Sequence, residues 1–80
     1  MAKDIVVNLT QMWICDIQDA IDALEEAGEI EVLPDIRGNF EDECLEYITS
    51  RYWSDCEFNP FSVDYETVVR DNAKFYGLLV

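Results

Sequence analysis

Carboxylates are the reactive side chains this sequence supplies in quantity, and many fall at helical spacing. Asp19, Asp22, Glu25 and Glu26 include pairs three and four apart, as do Asp42, Glu43 and Glu46. Side chains at those intervals share a helix face and recur every ~5 Å along its axis, a spacing that lysine and arginine arrays can accept. The sequence supplies little else for chemistry. It has no histidine to act as a base near neutral pH. Gly28, Gly38 and Gly77 are too scattered for a phosphate-cradling loop. Cys15, Cys44 and Cys56 are odd in number and form no CxxC, so they suggest neither a zinc site nor an activated nucleophile. A calcium loop needs acids at alternate positions and a glycine at the sixth, which neither Asp16-Ile-Gln-Asp nor Asp55-Cys-Glu-Phe-Asn-Pro provides. The expectation is a binding protein, with no catalytic residues, no cofactor and no metal.

Charge narrows the partner. Eighteen acids against five bases leave a net charge of −13 on 80 residues. Lys3 is the only base before Arg37, whereas nine carboxylates precede it. Direct nucleic-acid binding lacks a basic footprint. A fold that keeps so much like charge gives up stability to self-repulsion. That cost is most easily tolerated where a partner needs the charge. Disordered acidic chains are poor in aromatics, but this one is half apolar and carries ten aromatics spread along its length. It therefore predicts a single folded domain over residues 1–80. The core of so small a domain supplies only about 3–5 kcal/mol, and a homodimer is one way to add buried area. The unpaired cysteines suit buried or half-buried thiols in a reducing compartment. No apolar run reaches the ~18 residues of a membrane span, and Met-Ala-Lys-Asp does not open a signal peptide. A cytoplasmic protein is expected.

The positioning elements follow from periodicity. Residues 4–9 are β-branched at the centre and predict a short strand or extended arm. Asn8 or Thr10 then caps a helix running to about Ala27. Its apolar side is Leu9, Met12, Trp13, Ile17, Ala20, Ile21, Leu24 and Ala27, and Gly28 stands at its left-handed cap. Glu29 to Leu33 alternates as a short edge strand, which Pro34 ends. Asp35-Ile-Arg-Gly-Asn reads as a turn. Asn39 caps a second helix from about Phe40 to Trp53, with Glu41 to Glu43 at its positive end. Residues 54–61 read as loop. Ser62 or Asp64 starts a third helix to Tyr76, closed by Gly77. The fold class is mainly α, with α+β as the alternative: a three-helix domain with one or two short strands.

On these helices the surplus charge gathers on the first two and their connection. Phe40, Cys44, Tyr47, Ile48 and Tyr52 form the second helix's inward arc, leaving Asp42, Glu43 and Glu46 outside with Trp53. The third helix's outer acids are cancelled, with Glu66 and Arg70 spaced for an ion pair. Asp16 and Arg51 break the apolar arcs of their helices. The expectation is that Asp16 pairs with Arg51 or with Arg70, since a lone buried charge is costly.

Thirteen surplus charges spread over about 5,000 Å² would be sparse beside duplex DNA, which carries one per ~1.7 Å of axis. Gathered on one face they imitate phosphate. In size, acidity and lack of catalytic groups, the chain resembles the phage-encoded nucleic-acid mimics that block restriction or CRISPR complexes. That resemblance is compositional, spans the whole chain and rests on no diagnostic motif. It implies that Asp19, Asp22, Glu25, Glu26, Asp42, Glu43 and Glu46, with Trp53 beside them, occupy a Lys/Arg channel meant for DNA or RNA in a host-cell complex. The alternative is an antitoxin-like or regulatory interaction module, or a homo-oligomer, using aromatics such as Trp13, Trp53, Phe58 and Phe61. A winged-helix relative and a merely solubilising acidic surface are the remaining readings.

Overall fold

Three helices wrap one apolar core in this computed structural model, which describes the backbone of residues 2–80 and the side chains of residues 8–80. They are α1 (Ala2–Glu26), α2 (Pro34–Ser54) and α3 (Tyr65–Tyr76), and each packs on the other two. The domain is mainly α, as expected. Its only pairing of extended chain among the described residues is an antiparallel bridge between Ile30 and Leu79. There the Glu31 N–H donates to the Leu78 carbonyl and the Val80 N–H to the Glu29 carbonyl, both at 3.0 Å. The predicted strand at Glu29–Leu33 is thus reduced to one bridge. None of the described helices is long and apolar enough to cross a membrane.

Leu9, Trp13, Ile17, Ala20, Ile21 and Leu24 are the buried stripe of α1, at the helical period read from sequence. The strand expected at residues 4–9 is not formed, because α1 already runs through it. β-branched residues are only mildly unfavourable in a helix, and the apolar stripe continues the same turn. Asn8 and Thr10 therefore lie inside the helix and not at its start. The side chains of Lys3 and Asp4 lie outside the described residues. At the other end Gly28 adopts φ 76°, where its N–H donates to the Glu25 carbonyl and the Glu29 N–H to that of Leu24. This Schellman closure is the cap expected at that glycine.

The second helix begins six residues before its expected start. Pro34 does not stop a strand but opens α2 at its first position, where its missing N–H costs nothing and its fixed φ suits the helix. Asp35-Ile-Arg-Gly-Asn is helix, not turn, and Asn39 caps nothing. The capping position belongs to Leu33, whose side chain makes no cap bond, and Asp35 is the acid in the first turn. Glu41 to Glu43 consequently lie mid-helix, away from the dipole. Phe40, Cys44 and Ile48 are the buried line of α2. Tyr52 is half-buried and packs against the core, as its inward placement requires, whereas Tyr47 is exposed, which corrects its expected inward placement. The third helix matches expectation: Asp64 accepts from the Thr67 N–H at 3.2 Å, and Gly77 closes it at φ 71°.

Trp13 ties the loop between α2 and α3 to this core. Its ring is buried, its Nε1–H donates to the Pro60 carbonyl at 3.0 Å, and it meets Tyr52 edge-on at 5.7 Å. Phe58 and Val63 of the loop then pack against the core.

Two glycine substitutions test these boundaries with opposite signs. A side chain on Gly38 meets nothing within 4 Å. Inside a helix, Gly38→Ala therefore raises stability by about 0.4–1 kcal/mol. Gly28→Ala meets no obstacle either, but its left-handed backbone makes it cost about 1–2 kcal/mol. Thermal unfolding reads both, at roughly 4–8 °C per kcal/mol for a domain of this size. A Gly38→Ala protein that melted earlier would put a turn back at residues 35–39.

Candidate functional site

Of the seven acids and one tryptophan singled out from the sequence, Asp22 and Glu25 are held by Arg37. It projects from α2 between two turns of α1. Its Nη2 bonds Asp22, its Nη1 bonds Glu25 at 2.7 Å, and its Nε lies 3.8 Å from Glu41. Burial alone would lower the guanidinium pKa, but the hydrogen bonds and charges of Asp22 and Glu25 outweigh it and leave it raised. Glu25 also accepts the Val32 N–H at 3.2 Å, so one carboxylate holds both the connection and the next helix. Asp22 and Glu25 are thus structural partners of a cation. Sequence reasoning missed this because Arg37 was placed in a turn.

The expected ion pair of Asp16 with Arg51 or Arg70 is not formed. Asp16 sits beside the Tyr65 hydroxyl, whose pKa is pushed up to about 12 by burial first, then by the charge of and hydrogen bond to Asp16. Arg51 lies at the exposed end of α2, past the core. There it bonds the Tyr47 hydroxyl and Asp55, each at 3.3 Å, with its guanidinium 5.9 Å from the centre of the Phe58 ring. Arg70 bonds both oxygens of Glu29, at 3.2 and 3.1 Å, and reaches Glu66 at 3.4 Å. The Glu66–Arg70 pair is the one read from sequence; the bond to Glu29 adds the α1–α2 connection to it.

The remaining acids fall into separate places. Asp19 lines a shallow groove with Asp16, Asp64 and Glu66, between α1 and the start of α3. Glu26 is exposed at the end of α1. On α2, Asp35, Asp42, Glu46 and Trp53 are all exposed and follow one another at intervals of seven, four and seven. That spacing sets them in one outward row, and none of its acids is held by an arginine. Trp53 is 67 % exposed, its ring edge-on to Tyr52 at 5.0 Å. Glu43 turns instead towards α3. There, with Tyr47, Asp71, Asn72, Phe75 and Tyr76, it lines a groove of about 340 Å³.

The exposed aromatics also differ from the expected set. Trp13 is core and Phe58 half-buried, whereas Phe61 and Trp53 are exposed as the interaction reading requires. Phe75, at 92 % exposure, was missed. Its position carried the signal: two residues after Ala73, which is buried, a helical side chain points to the opposite side.

Cys15 and Cys56 are exposed, which corrects their expected burial; Cys44 is buried. Burial first, then Glu41 and Glu43, pushes the Cys44 thiol up to about 12, so it stays protonated at neutral pH. Among the described residues, no group of three or more Cys, Asp or Glu side chains is arranged to hold a metal ion. No protein-family profile, curated protein or solved structure matches the chain.

Removing Arg37 leaves three carboxylates facing one another. Arg37→Gln lowers stability by about 1–3 kcal/mol, between the values for exposed and buried ion pairs. The deficit shrinks as added salt screens the repulsion, and melting at two salt concentrations reads it. An unchanged melting temperature would show that this clamp does not stabilise the fold. Tyr65 sets a second, alkaline test. Its hydroxyl holds its proton to about pH 12 when folded but only to about pH 10 when unfolded. Its contribution is complete below pH 10 and lost as the pH rises from there towards 12. Tyr65→Phe therefore flattens part of the alkaline fall in stability.

Proposed function

We propose that this chain is a binding protein that inhibits a nucleic-acid-binding complex of the CRISPR or restriction kind. It does so by presenting acids to a Lys/Arg channel that would otherwise hold DNA or RNA. Binding, without catalysis, is its activity, and a phage-encoded inhibitor acting in the host cytoplasm is the setting that fits it. One observation carries the reading. Every arginine is taken up by carboxylates of the fold, while the outward row of α2 keeps its charge.

The helical rise separates Asp35 from Asp42 by about 10 Å and Asp42 from Glu46 by about 6 Å. Successive phosphates of one DNA strand rise 3.4 Å. The row is sparser than phosphate, but its spacing lies within the reach of lysine and arginine side chains. Of the residues first singled out, Asp42, Glu43, Glu46 and Trp53 carry the contact on α2, with Asp19 and Glu26 adding to the field from α1. Asp22 and Glu25 serve the fold.

A second reading has its own observation in the exposure of Trp53, Phe61 and Phe75. These would suit an interaction module or homo-oligomer that binds through aromatics. Capture from host lysate at ~50 and ~500 mM salt separates the two, because charge-driven contacts weaken with salt and apolar ones do not. The mimic reading expects a nucleic-acid-binding complex at low salt only, displaced by added DNA or RNA. It also expects the double reversal Asp42→Lys with Glu46→Lys to lose that complex while melting unchanged. Equal capture by the reversed protein at both salt levels would overturn it and favour the aromatic module.

A further inference from the structure

The groove between α2 and α3 differs in chemistry from the acidic row beside it. Tyr47, Phe75 and Tyr76 line it with aromatic rings, and Glu43 and Asp71 place a carboxylate on each helix. The pKa of the Tyr76 hydroxyl is raised by burial first, then by the charge of and hydrogen bond to Glu43, which sets that carboxylate beside the ring. The Asn72 amide N–H donates to the Val68 carbonyl at 2.8 Å, so its side-chain oxygen remains an acceptor. The Tyr47 hydroxyl is occupied by Arg51 at 3.3 Å, so its ring is what lines the groove. Phe75 is 92 % exposed, and nothing in the domain covers it.

Among the described residues, none that lines the groove is basic. An anion would meet two carboxylates, and an apolar ligand would strip water from both without pairing either. A cation with a flat, weakly hydrated face satisfies rings and acids together. The guanidinium does this better than an ammonium, because it stacks on aromatic rings and forks five donors towards carboxylates.

We infer that this groove seats an arginine side chain from the basic surface of a partner protein, an assignment that rests on the proposed binding of such a surface. A second copy of this chain does not supply it, since Arg37, Arg51 and Arg70 are each held by its own carboxylates. The arginine lies with its stem along Phe75 and its guanidinium between Glu43 and Asp71.

The test titrates the ¹⁵N-labelled full chain with capped hexa-arginine and hexa-lysine peptides at ~50 mM salt, read by amide shifts. Hexa-arginine is expected to move the Asn72 side-chain amide and the backbone amides around Glu43 and Phe75. It binds at least about fivefold tighter than hexa-lysine, and Phe75→Ala weakens it by about fivefold or more. Phe75 is outside the core, so the variant's spectrum reports directly that the fold persists. Equal affinity for the two peptides, or full hexa-arginine binding by Phe75→Ala, overturns the arginine seat.

Asp42→Lys with Glu46→Lys separates this idea from the reading beneath it. A seat that fails while the acidic row holds leaves Phe75→Ala binding hexa-arginine as the wild type does, and the reversed protein losing its lysate partner. An acidic row that fails while the seat holds leaves lysate capture intact in the reversed protein, with hexa-arginine binding still weakened by Phe75→Ala.

Discussion

Carboxylates on neighbouring helices repel one another where those helices meet, and in this domain an arginine stands at two such junctions. Arg37 enters between α1 and α2, where Asp22, Glu25 and Glu41 converge. Arg70 joins α3 to the end of the α1 turn through Glu29 and Glu66. Arg51 closes the exposed end of α2 against Asp55. With only five bases for eighteen acids, this placement decides which charge is absorbed and which is left. Charge is absorbed where α1 meets α2 and where α3 meets the α1–α2 connection. What remains lies on the outer row of α2, in the groove between α2 and α3, and on the α3 side of α1.

The same constraint explains why one carboxylate has two tasks. Glu25 receives Arg37 from α2 and the Val32 N–H from the connection, so it fixes the path of the chain as well as balancing a charge. A half-buried carboxylate with several donors is well satisfied; without its cation it would be a buried like charge next to two others. The apolar core acts with this clamp. Among the described residues, α1 contributes six buried residues to it, whereas α2 contributes Phe40, Cys44 and Ile48. A narrow inner stripe leaves most of α2's circumference on the surface, available to carry acids and aromatics.

Much of this was legible in the sequence, and the parts that were not share a cause. The stripe of α1, the Gly28 closure, the Asp64 cap, the Gly77 closure and the Glu66–Arg70 pair are local patterns within a few residues, and each was found. Pro34 was misread because proline both ends strands and opens helices, and the preceding Glu-Ile-Glu-Val favoured the first meaning. That error hid Arg37 in a supposed turn and removed the cation from the predicted acidic face. Asp16 was paired with the wrong group because its neighbour, the Tyr65 hydroxyl, comes from a helix 49 residues away. Contacts between elements carry no sequence period, so charge balance across a seam is invisible until the seam is known.

In the proposed binding, the outward charge and the aromatic groove would act at different ranges, and neither would suffice alone. At physiological salt a surface charge is screened within about 8 Å. On that proposal the acidic row would gather any polycation that comes near but do little to choose among them. Choice requires contacts that depend on shape and on the removal of water. The proposed seat beside Glu43 and Asp71 would offer these, because aromatic rings favour a flat guanidinium over a compact, strongly hydrated ammonium. With both on α2, one on its outer line and one on its α3 side, a single approach would be steered by the row and fixed by the groove. Discrimination would then lie in Tyr47, Phe75 and Tyr76, while the acids that make the chain so conspicuous would set mainly how fast and in what salt a partner arrives.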